Sequence, residues 1–145
     1  RFTPAGGAEI DQEAARVPLE DRFRIGGVNS LRGYDENTIP ISGGLAVIQG
    51  NAELRMPVVG IVGLEIYVDA GNVWARPEFI RWSNFVPQVT HARLEADDVR
   101  YVFGAGVRIN FPFSPLRIDF TWSARPDEQG QWLKGQPQFA IGPAF

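Results

Sequence analysis

The stretch "RYVFGAGVRINF", residues 100–111, carries the reading of the fold. Tyr101, Phe103, Ala105, Val107, Ile109 and Phe111 fall on one side of a two-residue period. Arg100, Val102, Gly104, Gly106, Arg108 and Asn110 fall on the other. Successive strand side chains point to opposite faces, so the stretch is a β-strand with one large apolar face and one small, partly charged face.

The same period recurs on both sides of it. Ala46, Ile48, Gly50, Ala52, Leu54 and Met56 alternate with Leu45, Val47, Gln49, Asn51, Glu53 and Arg55. After a tight connection at 57–63, Leu64, Ile66, Val68 and Ala70 alternate with Glu65, Tyr67, Asp69 and Gly71. Beyond the Pro112-Phe113-Ser114-Pro115 turn, Leu116, Ile118, Phe120 and Trp122 oppose Arg117, Asp119, Thr121 and Ser123. A last strand sets Phe139, Ile141, Pro143 and Phe145 on one side. Five antiparallel strands of about 8 to 12 residues result, a length that suits crossing a bilayer. Three long polar connections (21–44, 75–98, 124–136) lie at one end and two short turns at the other. Residues 1–20 read as loop, with a short helical turn at Asp11–Arg16.

Two architectures share this alternation, a soluble β-sandwich and an outer-membrane barrel. Aromatic residues near strand ends (Tyr101, Phe111, Trp122, Phe145) match interfacial girdles. Glu53, Arg55, Glu65, Asp69, Arg108, Arg117 and Asp119 at strand-interior positions suit a polar lumen in which opposite signs pair. The barrel is favoured. Five strands fall short of the about eight that the smallest barrels use, so the remaining strands are expected from sequence before Arg1 or from a partner. The chain opens on Arg1-Phe2-Thr3-Pro4, without an initiator Met or a basic-then-apolar leader, which reads as a processed chain or a piece of a longer one.

Composition narrows the function. The 145 residues carry a net charge of −3, which gives no basic footprint for nucleic acid. No cysteine is present, so disulfides and thiolate metal sites are excluded. No run approaches the about 18 apolar residues of a membrane helix. His91 stands alone in a polar segment, and Ser30, Ser42, Ser83, Ser114 and Ser123 have no histidine with which to build a triad. No phosphate loop or metal-ligand spacing appears, and Asp35, Glu36, Asp97 and Asp98 are only a weak candidate for a surface divalent cation. The expectation is a protein that is not an enzyme and takes no cofactor.

Several motifs in order carry a resemblance: Gly26-Gly27-x-x-Ser30-Leu31-Arg32-Gly33-Tyr34; Asn51-Ala52-Glu53-Leu54-Arg55-Met56-Pro57; Tyr67-Val68-Asp69-Ala70-Gly71-Asn72-Val73-Trp74; and Gly104-Ala105-Gly106-Val107-Arg108 with Pro115-Leu116-Arg117-Ile118-Asp119. From about Arg22 to Phe145 the chain resembles the C-terminal end of the bacterial surface-antigen superfamily of outer-membrane barrels. That superfamily includes the BamA assembly factors, TamA and the transporters of two-partner secretion. The resemblance implies an all-β, antiparallel transmembrane β-barrel of sixteen strands, of which residues 45–145 form the last five. Residues 1–44 would belong to the long extracellular loop that folds into the lumen. The family's POTRA repeats do not occur in these residues, and Phe145 would be the C-terminal aromatic read by the assembly machinery.

The resemblance further implies a bacterial outer-membrane location. Implied partners are membrane lipid, the remaining barrel strands, substrate outer-membrane or secreted proteins and periplasmic assembly-complex lipoproteins. In the inward loop, whose motif is Gly26, Gly27, Leu31, Arg32, Gly33 and Tyr34, the glycines permit close approach to the wall, Tyr34 can pack its ring while its hydroxyl finds a partner, and Arg32 is the anchor. Guanidinium is a rigid fork of donors that stays charged, so it suits bidentate pairing in a confined site. Asp69, with Glu53 as the second carboxylate, is its expected partner. The alternative is a small structural barrel or a soluble β-domain that binds partners through its long loops.

Overall fold

A computed structural model describes residues 16–86 and 93–142. Phe145, Pro143, His91 and most of the Asp11–Arg16 turn lie outside the described residues. The body is an antiparallel meander of five strands: β3 (Ala46–Val59), β4 (Val62–Trp74), β5 (Arg100–Asn110), β6 (Pro115–Ser123) and β7 (Lys134–Ile141), in that order across the sheet. Ahead of it, β1 (Phe23–Ile25) and β2 (Ile39–Gly44) form a separate two-stranded sheet. The sheet of β3–β7 is open among the described residues, with β3 and β7 at its edges.

Three differences from the periodicity reading have local causes. Residues 21–44 are not loop throughout, since β1 and β2 pair across the Gly-rich segment; strands this short carry too few residues for alternation to register. The turn between β3 and β4 shrinks to Gly60-Ile61, with pairing carried to Val59 and Val62 past an irregularity at Pro57. The last strand begins at Lys134, inside the connection read as 124–136. Its opening residues Lys134-Gly135-Gln136-Pro137 have low strand propensity, and a register shift opposite Thr121–Trp122 breaks the period. Pro137 lacks a donor, which an edge strand tolerates.

Register aligns the side chains into rows. One face carries Glu53–Tyr67–Gly104–Thr121 and, a step toward the short turns, Arg55–Glu65–Gly106–Asp119–Gln138. The other carries Ala52–Val68–Phe103–Trp122 and Leu54–Ile66–Ala105–Phe120. Burial runs opposite to that of a soluble sheet. Glu65, Tyr67, Asp69, Arg117, Asp119 and Thr121 are buried, whereas Leu54, Leu64, Ile66, Val68, Phe103, Phe120 and Trp122 are exposed. Phe103 and Trp122 stack across strands with ring centroids 6.3 Å apart on the open face. A contiguous apolar surface of this extent over a charged interior is the polarity of a barrel wall facing lipid. No helix among the described residues is long and apolar enough to cross a membrane. The 13 residues of β4 exceed the about 9–11 that a tilted transmembrane strand needs.

The polar face is covered by the segment between β1 and β2. Ile25, Leu31 and Ile39 pack on Val73 of β4 and Val102 of β5, with Tyr34, Val47 and Leu133 around them. A second cluster closes the long-connection end. Trp74, Ala46 and Val99 are joined there by Phe79, Ile80, Phe85 and Tyr101. The Trp74 indole donates to the carbonyl of Asp97 (3.0 Å), and Tyr101 Oη to that of Phe85 (2.6 Å). These bonds tie the β4–β5 connection to the wall.

Candidate functional site

The segment from Gly26 to Thr38 is a loop pinched at its neck. Gly27 N–H donates to the Tyr34 carbonyl (3.0 Å), and the Ser30 hydroxyl lies 2.8 Å from both the amide and the carbonyl of Gly26. Gly26 and Gly27 have φ of 121° and 97°, in the left-handed region that L side chains rarely adopt. A Cβ on Gly26 would overlap the Asp35 carbonyl, and one on Gly27 the Glu36 carboxylate. The glycines therefore let the two legs of the loop lie against each other.

At the tip, Leu31 is buried in the core and Arg32 turns toward the wall. Arg32 Nε and Nη2 donate to Asp69 Oδ2 (2.8 Å) and Oδ1 (2.9 Å), a bidentate pair, and its backbone N–H adds a 3.2 Å bond to Oδ2. Nη1 donates to Glu53 Oε2 at 2.9 Å and lies 3.5 Å from Glu65 Oε1. The guanidinium carbon sits 3.4 Å from the centre of the Tyr67 ring, so the cation is stacked as well as paired. Burial opposes the charge on Arg32. The hydrogen bonds and charges of Asp69 and then Glu53 outweigh it, and the guanidinium pKa is raised above its ordinary value. Arg32 is thus charged at every pH the protein meets. Burial also pushes the Tyr34 phenol up.

The surrounding charges form one lattice. Among the described residues, the guanidiniums of Arg32, Arg108 and Arg117 face the carboxylates of Glu53, Glu65, Asp69 and Asp119. Arg108 Nη2 donates to Glu65 (2.9 Å) and reaches Glu53 at 3.5 Å. Arg117 Nε lies 2.8 Å from Asp119 Oδ2, close enough for an ion pair but without hydrogen-bond alignment, while its Nη2 donates to the Val28 carbonyl (2.9 Å) of the loop. Arg55, half exposed, pairs with the remaining oxygen of Glu53.

Two glycines of β5 form the floor of this lattice. A side chain on Gly104 would overlap the Tyr67 ring, and one on Gly106 the Asp119 carboxylate. Without Gly104, Tyr67 could not lie across β5 to place its hydroxyl 2.5 Å from Thr121 Oγ1 on β6. Gly104→Ala is accordingly expected to displace the Tyr67 ring and destabilise the protein by about 1–3 kcal/mol, the usual cost of overpacking. Gly50→Ala, with nothing near its Cβ, is expected within about 0.5 kcal/mol of wild type. Urea unfolding of the two variants of the full-length protein in lipid decides; equal midpoints would remove the steric role of Gly104.

Of the residues singled out from sequence, Gly26, Gly27, Leu31, Arg32, Gly33, Tyr34, Glu53 and Asp69 are brought together here, and Phe145 lies outside the described residues. Tyr67, Thr121, Gln138 and the glycine floor were not singled out as parts of the site. The Gly-x-Gly on the polar face of β5 is the signal for the glycine floor; the other three carry none, since cross-strand register brings them there. Asp97 and Asp98 serve the β4–β5 connection: Asp98 Oδ2 accepts the Glu95 N–H at 3.0 Å, and Asp97 takes the Trp74 indole bond through its backbone carbonyl.

Comparison with known proteins accords with this architecture. The Omp85 superfamily domain matches residues 4–145. Outer envelope protein 80, chloroplastic, of Arabidopsis thaliana is 33% identical over 122 residues, covering 84% of this chain and 15% of the relative. Outer envelope protein 39, chloroplastic, of the same plant is 29% identical over 70% of this chain and 26% of its own length. Outer membrane protein assembly factor BamA of Neisseria meningitidis is 26% identical over 97% of this chain and 20% of its own length. The chain thus spans about a quarter or less of these relatives. A sheet apolar on one face and charged on the other is in this way joined to a match over nearly the whole sequence, and the chain belongs to the Omp85 superfamily of β-barrel membrane proteins.

Proposed function

We propose that this chain is the C-terminal barrel portion of a BamA-like protein. Such a protein inserts other proteins into an outer membrane, or passes them across it, without ATP. Residues 1–44 are the extracellular loop that enters the lumen and residues 45–145 the closing strands of the barrel. The substrates are outer-membrane or secreted proteins, and their handling falls to repeats outside these 145 residues. Membrane lipid surrounds the apolar face, further strands complete the wall, and periplasmic lipoproteins are the accessory partners. The location is the bacterial outer membrane, supported by the assembly-factor relatives; the chloroplast relatives make a plastid envelope the competing address.

The observation that carries this reading is the buried Arg32 fork on Asp69 and Glu53. A soluble β-domain has no need of a charged lattice beneath an inward loop while leaving Ile66, Val68 and Phe103 to solvent. The full-length protein reconstituted in lipid vesicles is expected to speed the folding of an unfolded outer-membrane barrel in the absence of nucleotide, and Arg32→Ala to slow it. Folding no faster than in empty vesicles, or only with ATP, would overturn the proposal.

A further inference from the structure

The loop tip is held at two separated places. Arg32 binds carboxylates of β3 and β4, but the backbone of the next two residues is held from the far edge of the sheet. Gln138 of β7 accepts the Gly33 N–H through Oε1 (2.8 Å) and donates Nε2 to the Tyr34 carbonyl (3.1 Å). Gly33, at φ 89°, lies flat on β6, where a Cβ would overlap Thr121 and Leu133. Arg32-Gly33-Tyr34 therefore crosses the whole sheet: side chain on β3 and β4, backbone over β6, and a carboxamide from β7.

We propose that Gln138 is a positioning residue that couples the seating of the inward loop to the edge strand β7. The loop then acts as a brace setting how closely β7 follows the wall.

Three features single out Gln138. Its row places it beside Asp119 on the polar face, whereas Gln136, the inward-facing residue before it, is exposed. β7 is the shortest strand of this sheet, 8 residues long, and its pairing with β6 is interrupted by a register shift and by Pro137. Its outward side chains Phe139 and Ile141 are mostly exposed, so little protein packing holds it there. A two-point clamp is then a large fraction of what fixes β7 to the interior. A carboxamide suits the task because it donates and accepts at once, as a peptide group does, and reads the loop backbone without regard to side chains.

This inference rests on geometry and not on which proteins the barrel handles. Its test is hydrogen exchange of the full-length protein in lipid, read separately from client insertion. Gln138→Ala is expected to raise exchange of the amides at positions 136 and 138–140 by about 10- to 100-fold, as loss of two hydrogen bonds should, and to leave Leu64–Asp69 of β4 unchanged. Gln136→Ala is the control and should match wild type. Gln138→Glu keeps the acceptor for Gly33 but loses the donor to Tyr34, and should fall between. Arg32→Lys touches no residue of β7, yet should also raise exchange there by loosening the other end of the brace. If Gln138→Ala exposes only the Gly33 amide and β7 exchanges as in Gln136→Ala, the coupling is absent. Unchanged β7 exchange in Arg32→Lys would likewise overturn it. Client insertion can fail or persist in these variants without bearing on either outcome.

Discussion

Arg32→Ala is expected to destabilise the full-length protein by about 3–5 kcal/mol, the cost of leaving a buried charge without its partner. Asp69 is fully buried and takes three hydrogen bonds from Arg32, two from the guanidinium and one from the backbone. Removing the guanidinium also leaves Glu53 with only the neighbouring arginines and strips Tyr67 of its cation. The loss is larger than any exposed ion pair could give, since those are worth about 0–1 kcal/mol. Arg32→Lys should recover part of it. An ammonium keeps the charge but cannot fork onto both Asp69 oxygens while reaching Glu53. A cycle with Asp69→Asn then isolates the pair, and a coupling of at least about 1 kcal/mol is expected between residues in such direct contact. Equilibrium unfolding in urea, in lipid, measures all of these. An Arg32→Ala protein less than about 1 kcal/mol weaker than wild type would mean the loop is held by Leu31 and the glycine neck instead.

A second large effect is expected on the opposite face. Ile66 is half exposed and central in the outward row of β4, between Leu64 and Val68. In lipid, Ile66→Arg should cost about 2–4 kcal/mol, the penalty for a guanidinium near the bilayer midplane, while Ile61→Arg in the short β3–β4 turn should cost about 0–1 kcal/mol. Both side chains are exposed to a similar degree, so solvent accessibility alone predicts equal and small effects within about 0.5 kcal/mol. The difference between the two variants is therefore a measurement of depth in the membrane. Equal, near-zero changes would argue that this face meets water.

Much of the fold was legible because its signal is local. A two-residue period needs only the residues of one strand, and β3 to β6 each carry it in their own sequence. The polarity of the two faces followed from the same count, as did the placing of long connections at one end. β1, β2 and the start of β7 were not legible. The first two are too short to show a period, and Lys134-Gly135-Gln136-Pro137 pairs with β6 despite its propensity, under the control of neighbours rather than of its own residues.

The candidate site divides along the same line. That Gly26, Gly27 and Gly33 allow a tightly folded loop, and that Arg32 needs carboxylate partners, follows from residue chemistry. Which partners it finds depends on cross-strand register, and a shift of one residue would send Asp69 to the lipid face and Val68 to the interior. Tertiary structure alone set Tyr67 over Gly104, brought Glu65 and Asp119 to either side of Gly106, and placed Gln138 under the loop backbone. The sequence by itself determined a wall with an apolar side, a charged side and a glycine-rich loop, because alternation and φ preference are properties of single strands and single residues. The lattice that seats Arg32 and the Gln138 contacts beside it were decided by tertiary structure, because they join residues up to 105 positions apart whose meeting only the register of five strands can arrange.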